Sequence, residues 1–312
     1  MEFRNRRAYL FSLCVVAFFS LDAKQKISRI PVHKWGFYEL SKHAFDPYID
    51  EKMYPITTKC GGIDFNTQEV RAGDTIFLRA RCADIFFEQK APSMRVPYTL
   101  ISHGEYKDGF MKQYASYLDD PLLIAWFTTH PCNIKHSKLR AIPLGIPPGR
   151  SQARQFQSLK STCEKLRKQK KTKLLYINFA PETHPDRGNL LNFFADKDFC
   201  TISKNIPHNH YLEEMAAHKF TLSPPGYGPD CYRTWEALLV GSIPIVISSH
   251  LNDLYEGLPV LVVDSWDEVT CKNLQKKYRD MTLQTYDLKK LYMNYWKDLI
   301  LSAYRADKKQ TK

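Results

Sequence analysis

The feature of this sequence that most restricts its fold is a recurring alternation of short, continuous apolar runs with segments of helical pattern. Thr75–Arg79 (TIFLR), Val96–Ser102 (VPYTLIS) and Leu122–Thr128 (LLIAWFT) lack the in-and-out polarity of a half-exposed strand. They read as strands buried on both faces, which is what a parallel sheet covered by helices requires. Leu139–Leu144 is a shorter strand of the same kind. The alternation resumes at Leu174–Phe179, Phe199–Ser203, Phe220–Ser223, Ile243–Ile247 and Val260–Val263. Helices are expected at Ala83–Gln89, Asp186–Phe194, Tyr211–His218, Cys231–Val240 and, closing the chain, Met281–Tyr304. Residues 25–70 read as irregular. With 312 residues, the chain is longer than one core usually holds. The expectation is an α/β protein of two halves, divided at the basic stretch 151–172.

Composition narrows the class. Apolar residues make up 44% and aromatic residues 13%, enough for packed cores and too much for a disordered chain. Lys and Arg number 45 against 33 Asp and Glu, a net charge of +12, which suits anionic partners without choosing among them. The eight cysteines are scattered with no C-x-x-C pair, so neither a zinc ribbon nor a thioredoxin-type motif is present and buried thiols are expected. Arg4, Arg6 and Arg7 precede an apolar run from Ala8 to Leu21. That is the layout of a signal peptide or signal anchor, shorter than the roughly 20 residues of a membrane span. Residues 1–24 are therefore expected to direct the chain to the secretory pathway or to attach it to a membrane, in the Golgi or ER lumen if the source is eukaryotic. No Asn-x-Ser/Thr sequon occurs.

The most informative stretch is Phe220–Ser248, FTLSPPGYGPDCYRTWEALLVGSIPIVIS. It reads as a strand, a glycine loop, a helix capped by Asp230 and stopped by Gly241, and a second strand. In open α/β sheets, ligands bind at the carboxyl ends of strands beside helix N-termini, where first-turn N–H groups and the helix dipole favour an anion. Gly226 and Gly228 allow close backbone approach to a diphosphate, and Arg233 offers a planar fork of donors to the same anion. Glu236, one turn on, can accept two hydroxyls of a ribose. Spacing alone equally allows Arg233 and Glu236 to form a surface ion pair at i, i+3.

This stretch resembles the C-terminal signature of exostosin-family glycosyltransferases, in which a Pro-Gly-x-Gly loop precedes a helix with Arg and Glu-Ala-Leu, followed by Gly-x-Ile-Pro-Val. LLYINFAPETHPDRGNLLNFF (174–194) resembles the family's first donor-domain strand and the loop after it, and 97–148 resembles its N-terminal half. The resemblance implies a GT-B-like architecture, two Rossmann-like domains facing a cleft, with the C-terminal helix returning to the first. It implies an acceptor-side domain at 25–150, a basic linker at 151–172, a nucleotide-sugar donor domain at 173–280, and a C-terminal helix and tail at 281–312. Gly226, Gly228, Asp230, Arg233, Glu236 and Arg187 would bind the donor. Pro225 and Tyr227 stand where relatives often carry Arg and a small polar residue.

The implied reaction is inverting transfer from a nucleotide-sugar, a UDP-sugar, to a glycan or glycoprotein acceptor, with no metal or other cofactor required. Such transfer needs a base for the acceptor hydroxyl and positive charge at the departing diphosphate. Arg233 and the helix N-terminus meet the second need. Glu105, then His103, are the candidate bases, because they follow a buried strand at its carboxyl end. Asp196-Lys197-Asp198 follows a helix and lies at the wrong end of a strand for a metal-bound ligand. His208-Asn209-His210 and His130, Cys132 and His136 lack the remaining ligands of a zinc site. The alternative reading is a non-catalytic relative that binds nucleotide-sugar or polyanion. No nucleic-acid partner is expected, since no reading motif accompanies the charge.

Overall fold

The computed structural model describes residues 30–46, 65–104, 110–147 and 152–310. The leader at 1–24 and the candidate base Glu105 lie outside them. Two five-stranded sheets, parallel throughout, organise the described chain. The first holds β1 (His43–Phe45), β2 (Thr75–Arg79), β3 (Tyr98–His103), β4 (Leu123–Thr128) and β5 (Leu139–Ala141), side by side in chain order. The second holds β6 (Lys173–Ile177), β7 (Cys200–Ile202), β8 (His218–Leu222), β9 (Ile243–Ile247) and β10 (Leu261–Val263), in the order β10-β9-β8-β6-β7. The paired Rossmann-like sheets of the GT-B-like expectation are present.

The apolar runs are continuous because each sheet is covered on both faces. In the first sheet Ile76, Leu78, Leu100 and Trp126 face one cluster with Phe86 and Phe87, among turns that include the short α2 (Ala83–Ile85). Phe77, Ile101 and Phe127 face the other way, towards α1 (Lys34–Leu40) and the C-terminal helix. α3 (Phe110–Gln113) lies between β3 and β4 in the chain, and α4 (Gln152–Arg167) connects the first sheet to the second. In the second sheet Leu175, Ile177, Leu222 and Ile245 pack beneath α5 (Asp186–Phe194) and α9 (Cys271–Thr282). Tyr176 and Val246 face α4, α6 (His208–Ala217) and α7 (Tyr232–Val240). α8 (Asn252–Tyr255) is a single turn after β9.

The last helix, α10 (Met293–Gln310), returns to the first sheet. Its Trp296 lies 6.4 Å from Phe37 of α1, and the Met293 N–H donates to the Ile30 carbonyl at 3.0 Å. Three sequence expectations change here. The helix expected over Met281–Tyr304 is two helices, α9 and α10, because Tyr292 adopts extended backbone and bridges Pro31. The segment 25–70 is not wholly irregular: it supplies α1 and β1, each too short to give a periodic signal. The basic stretch 151–172, expected as a linker, is helical over 152–167 as α4, and its end is put to use. Arg167 donates to the carbonyls of Leu238 and Leu239, and the Lys171 ammonium to those of Ala216 and Val240 at 2.6 and 2.8 Å. The carbonyl of Ala216 is at the C-terminus of α6, and those of Leu238, Leu239 and Val240 are open groups at the C-terminus of α7, where the cations oppose its dipole. Gly241, left-handed at φ 77°, completes that terminus. All six described cysteines are free, and no described helix is long and apolar enough to cross a membrane.

Candidate active site

Loops beyond the carboxyl ends of the two sheets meet, with Leu144 against Asp230 and His130 against Gly228, and the residues after β8 form the second-domain side of this junction. The Pro-Gly loop, 224–229, is held open by its own backbone and by Arg187. The Gly226 N–H donates to the Gly228 carbonyl at 2.9 Å. Arg187, 4% exposed, donates from Nε to the Pro225 carbonyl at 2.7 Å and from Nη2 to the Pro224 carbonyl at 3.0 Å. Its Nη1 reaches the Ala180 carbonyl at 3.0 Å and Thr183 Oγ1 at 2.5 Å, and Nη2 also meets Cys231 Sγ at 3.5 Å. All five guanidinium N–H groups are thus engaged. The structure corrects the expectation for Arg187: its donors hold the loop, and only its charge reaches beyond it.

Arg233 is placed differently. It sits in the first turn of α7, where Ser223 Oγ and Thr234 Oγ1, 2.9 Å apart, tie strand end to helix start. Its Nε donates to the Asn178 carbonyl at 2.8 Å, while its buried Nη1 has no hydrogen-bond partner. The Arg187 and Arg233 guanidinium carbons each lie 5.2 Å from the Phe179 ring. Among the described residues neither meets a carboxylate in an ion pair. Burial and the neighbouring Arg233 charge lower the Arg187 pKa from its ordinary value. Two adjacent, partly desolvated cations beside a helix N-terminus create a site that an anion stabilises.

Asp230 does not cap α7. The N-cap is Cys231, and the Asp230 carboxylate turns inward. It accepts from Trp235 Nε1 at 2.8 Å, from the Cys231 N–H at 2.9 Å and from the Tyr255 hydroxyl at 3.1 Å. From the other domain's loop, the Leu144 N–H donates to it at 2.7 Å. The residue expected at the donor phosphates is therefore a buried tie between the two halves. Gly226 keeps a position on the loop beside Arg187 Nη2, which a Cβ there would approach to 3.1 Å. At Gly228 a Cβ would collide with the His130 ring at Cε1, so its bareness admits a side chain from the opposite domain. Between them Tyr227 is 71% exposed.

Glu236, 5% exposed, lies one turn beyond Arg233 and makes no ion pair with it. Its Oε1 is 2.7 Å from His208 Nε2, and its Oε2 accepts from the Tyr211 hydroxyl at 3.0 Å, both from α6.

On the first-domain wall, His103 is the last residue of β3, not a residue beyond it. Its ring is fully buried, 5.7 Å from Phe37, and neither nitrogen closes a hydrogen bond, although the Pro143 and Leu144 backbone lies close enough to oppose the fall in its pKa. Burial carries that pKa well below the ordinary value. A ring so enclosed cannot reach an acceptor hydroxyl, which corrects its placing among the bases. His130, two residues after β4, is the histidine that reaches the cleft. Sequence spacing offers it only as a metal ligand. Among the described residues no group of three or more His, Cys, Asp or Glu side chains is arranged to hold a metal.

The two walls titrate in opposite senses. Burial and His250 push His130 down to about 4, so the folded state keeps it neutral. Its contribution is fully present above the unfolded value near 6.5 and is lost as pH falls towards 4, about 3 kcal/mol in all. Burial raises Asp230 to about 6 against four opposing hydrogen bonds, so its contribution runs the other way, weakening stability by about 3 kcal/mol as pH rises from 4 to 6. Urea unfolding of His130→Gln at pH 7.5 and pH 4.5 is expected to show less acid destabilisation than the wild type. An unchanged difference between the two pH values would remove His130 from this balance.

Comparison with known proteins adds a likeness over the second half of the chain. Residues 194–312 match the family described as the RXYLT1 C-terminal domain. Over those residues the chain is similar to that domain. The match begins at the end of α5 and covers α6, the Pro-Gly loop, α7 and both final helices. No curated protein matches the chain in sequence. Among solved structures, the α,α-trehalose-phosphate synthase (UDP-forming) of Burkholderia vietnamiensis is 10% identical over 78% of this chain and 74% of that one, with a TM-score of 0.39. The corresponding synthase of Burkholderia xenovorans, in complex with glucose-6-phosphate, is 9% identical over 76% and 75%, with a TM-score of 0.42. The pneumococcal O-GlcNAc transferase GtfA, in complex with UDP and GlcNAc, is 12% identical over 78% and 58%, at 0.32. At such TM-scores these are distant likenesses, and the GT-B-like fold of the chain rests on its own two parallel sheets.

Proposed function

We propose that this chain is an exostosin-like glycosyltransferase that takes its sugar from a UDP-sugar and transfers it with inversion to a glycan or glycoprotein acceptor. The observation that carries the reading is Arg233: a cation at the start of α7 with a buried, unpartnered Nη1, beside a second cation and in no ion pair with a described carboxylate. A diphosphate bound there supplies the missing acceptor. As the glycosidic bond to the nucleotide breaks, negative charge grows on the departing phosphate, and Arg233 with the α7 N-terminus stabilises it without reorganising. Gly226 lets the backbone come close, and Glu236 takes the ribose. Glu105, two residues past His103 in the sequence, is assigned the acceptor proton. No metal is assigned a role. The leader assigns the enzyme to the secretory pathway or a membrane surface.

The test is incubation of the purified protein with a panel of UDP- and GDP-sugars, following nucleotide release with and without glycan acceptors. Release from UDP-sugars that Arg233→Ala abolishes supports the reading. UDP binding without release from any donor would leave the non-catalytic binding protein instead.

A further inference from the structure

Glu236 cannot receive a ribose as it stands. Its side chain is 6% exposed, and the side of the carboxylate that does not face the core is covered by His208, whose own side chain is 51% exposed. His208 lies at the first position of α6 and stacks on Tyr211, three residues on, with ring centroids 5.7 Å apart and planes 23° apart. Tyr211 approaches Glu236 from the buried side, and its hydroxyl bond can stay in place. His208 is the partner in the way, and a half-exposed ring at a helix start is free to swing into solvent.

We propose that nucleotide binding displaces His208 from Glu236, so that the ribose hydroxyls replace the imidazole and capture of the nucleotide releases a proton. This rests on the reading of Glu236 as the ribose acceptor. The bond to Glu236 holds the His208 pKa above its ordinary value, and losing that partner lets the imidazolium give its proton to solvent. The other groups facing this carboxylate do not compensate near neutrality. Tyr211 and Tyr176 are both raised above the ordinary tyrosine value by burial, and Cys163 of α4 is pushed up to about 12. Arginine does not deprotonate in proteins, so Arg233 takes no part in the exchange. His208 thus couples nucleotide occupancy to pH and gates the ribose position.

The coupling is measurable without knowing donor sugar or acceptor. UDP, uridine and inorganic pyrophosphate are titrated calorimetrically into the full chain at pH 7, in two buffers of different ionisation heat, for wild type and His208→Asn. Wild type is expected to release more proton per UDP than His208→Asn, and to release a fraction of a proton with uridine, which has no group titrating near neutrality, where the variant releases none. With pyrophosphate, which titrates near neutrality itself and reaches Arg233 alone, wild type and variant are expected to release the same amount, and His208→Asn is expected to bind UDP several-fold more tightly. Equal proton release by variant and wild type with UDP and uridine, or a difference between them with pyrophosphate, overturns the proposal while the UDP site stands. A folded wild type that binds neither UDP nor uridine overturns the site reading and the proposal with it.

Discussion

Replacing Asp230 by alanine is expected to destabilise the protein by about 3–5 kcal/mol, the loss typical of breaking a buried charged network. Four donors converge on that carboxylate, from Leu144, Cys231, Trp235 and Tyr255. Alanine leaves them buried without an acceptor, at roughly 1–3 kcal/mol for each that water cannot reach. Relief of the carboxylate's own desolvation, visible in its raised pKa, offsets part of this. An asparagine in its place would retain one acceptor oxygen but set an NH2 against donors, so Asp230→Asn is expected to cost most of the same. Tyr255→Phe, which removes one donor and leaves the carboxylate three, should cost about 1 kcal/mol. Because the Leu144 N–H comes from the other domain, Asp230→Ala should also weaken nucleotide binding at the cleft. Urea midpoints order the three variants. A loss below about 1 kcal/mol for Asp230→Ala, no more than one ordinary hydrogen bond, would show that the tie contributes little.

The second large effect is expected at Arg187. Lysine there keeps the charge but not the planar fork that engages two loop carbonyls, the Ala180 carbonyl and Thr183. Arg187→Lys is therefore expected to cost about 2–4 kcal/mol, since the carbonyls of Pro224 and Pro225 lose a charged donor. The Pro-Gly loop would no longer be fixed before nucleotide arrives, and UDP affinity should drop at least about tenfold, or 1.4 kcal/mol. Affinity unchanged in the lysine variant would mean that Arg187 acts through its charge at the diphosphate, as its residue type alone suggests.

That last contrast shows what a linear sequence carries and what it does not. The buried strands are legible because continuous apolar runs have few other uses, and the helix stop at Gly241 is legible because few residues adopt its backbone. The loop and helix from Ser223 to Val240 announce an anion site through residue types and spacing. What spacing cannot assign is the direction of each donor. Arg187 and Arg233 are the same residue type near the same loop, and only the positions of the Pro224, Pro225 and Ala180 carbonyls make one a strut and leave the other open. Asp230 looks like a helix cap because Asp commonly is one. Its inward turn depends on Trp235, Tyr255 and Leu144, which converge only in three dimensions. His130 is unreadable as a cleft residue for the same reason. Its signal is the bare Gly228 opposite, far along the chain in the other half. The basic run at the end of α4 is legible as charge, yet the carbonyls that Arg167 and Lys171 satisfy belong to two helices 45 to 72 residues away.

The central claim is that Arg233 and the start of α7 receive a nucleoside diphosphate. Calorimetric titration of UDP into the wild type and into Arg233→Ala tests it most directly, with circular dichroism confirming that both are folded. Saturable binding by the wild type, reduced at least about a hundredfold in the variant, or 2.7 kcal/mol, is the expected result. Equal affinity for the two proteins, or no binding by a folded wild type, would contradict it.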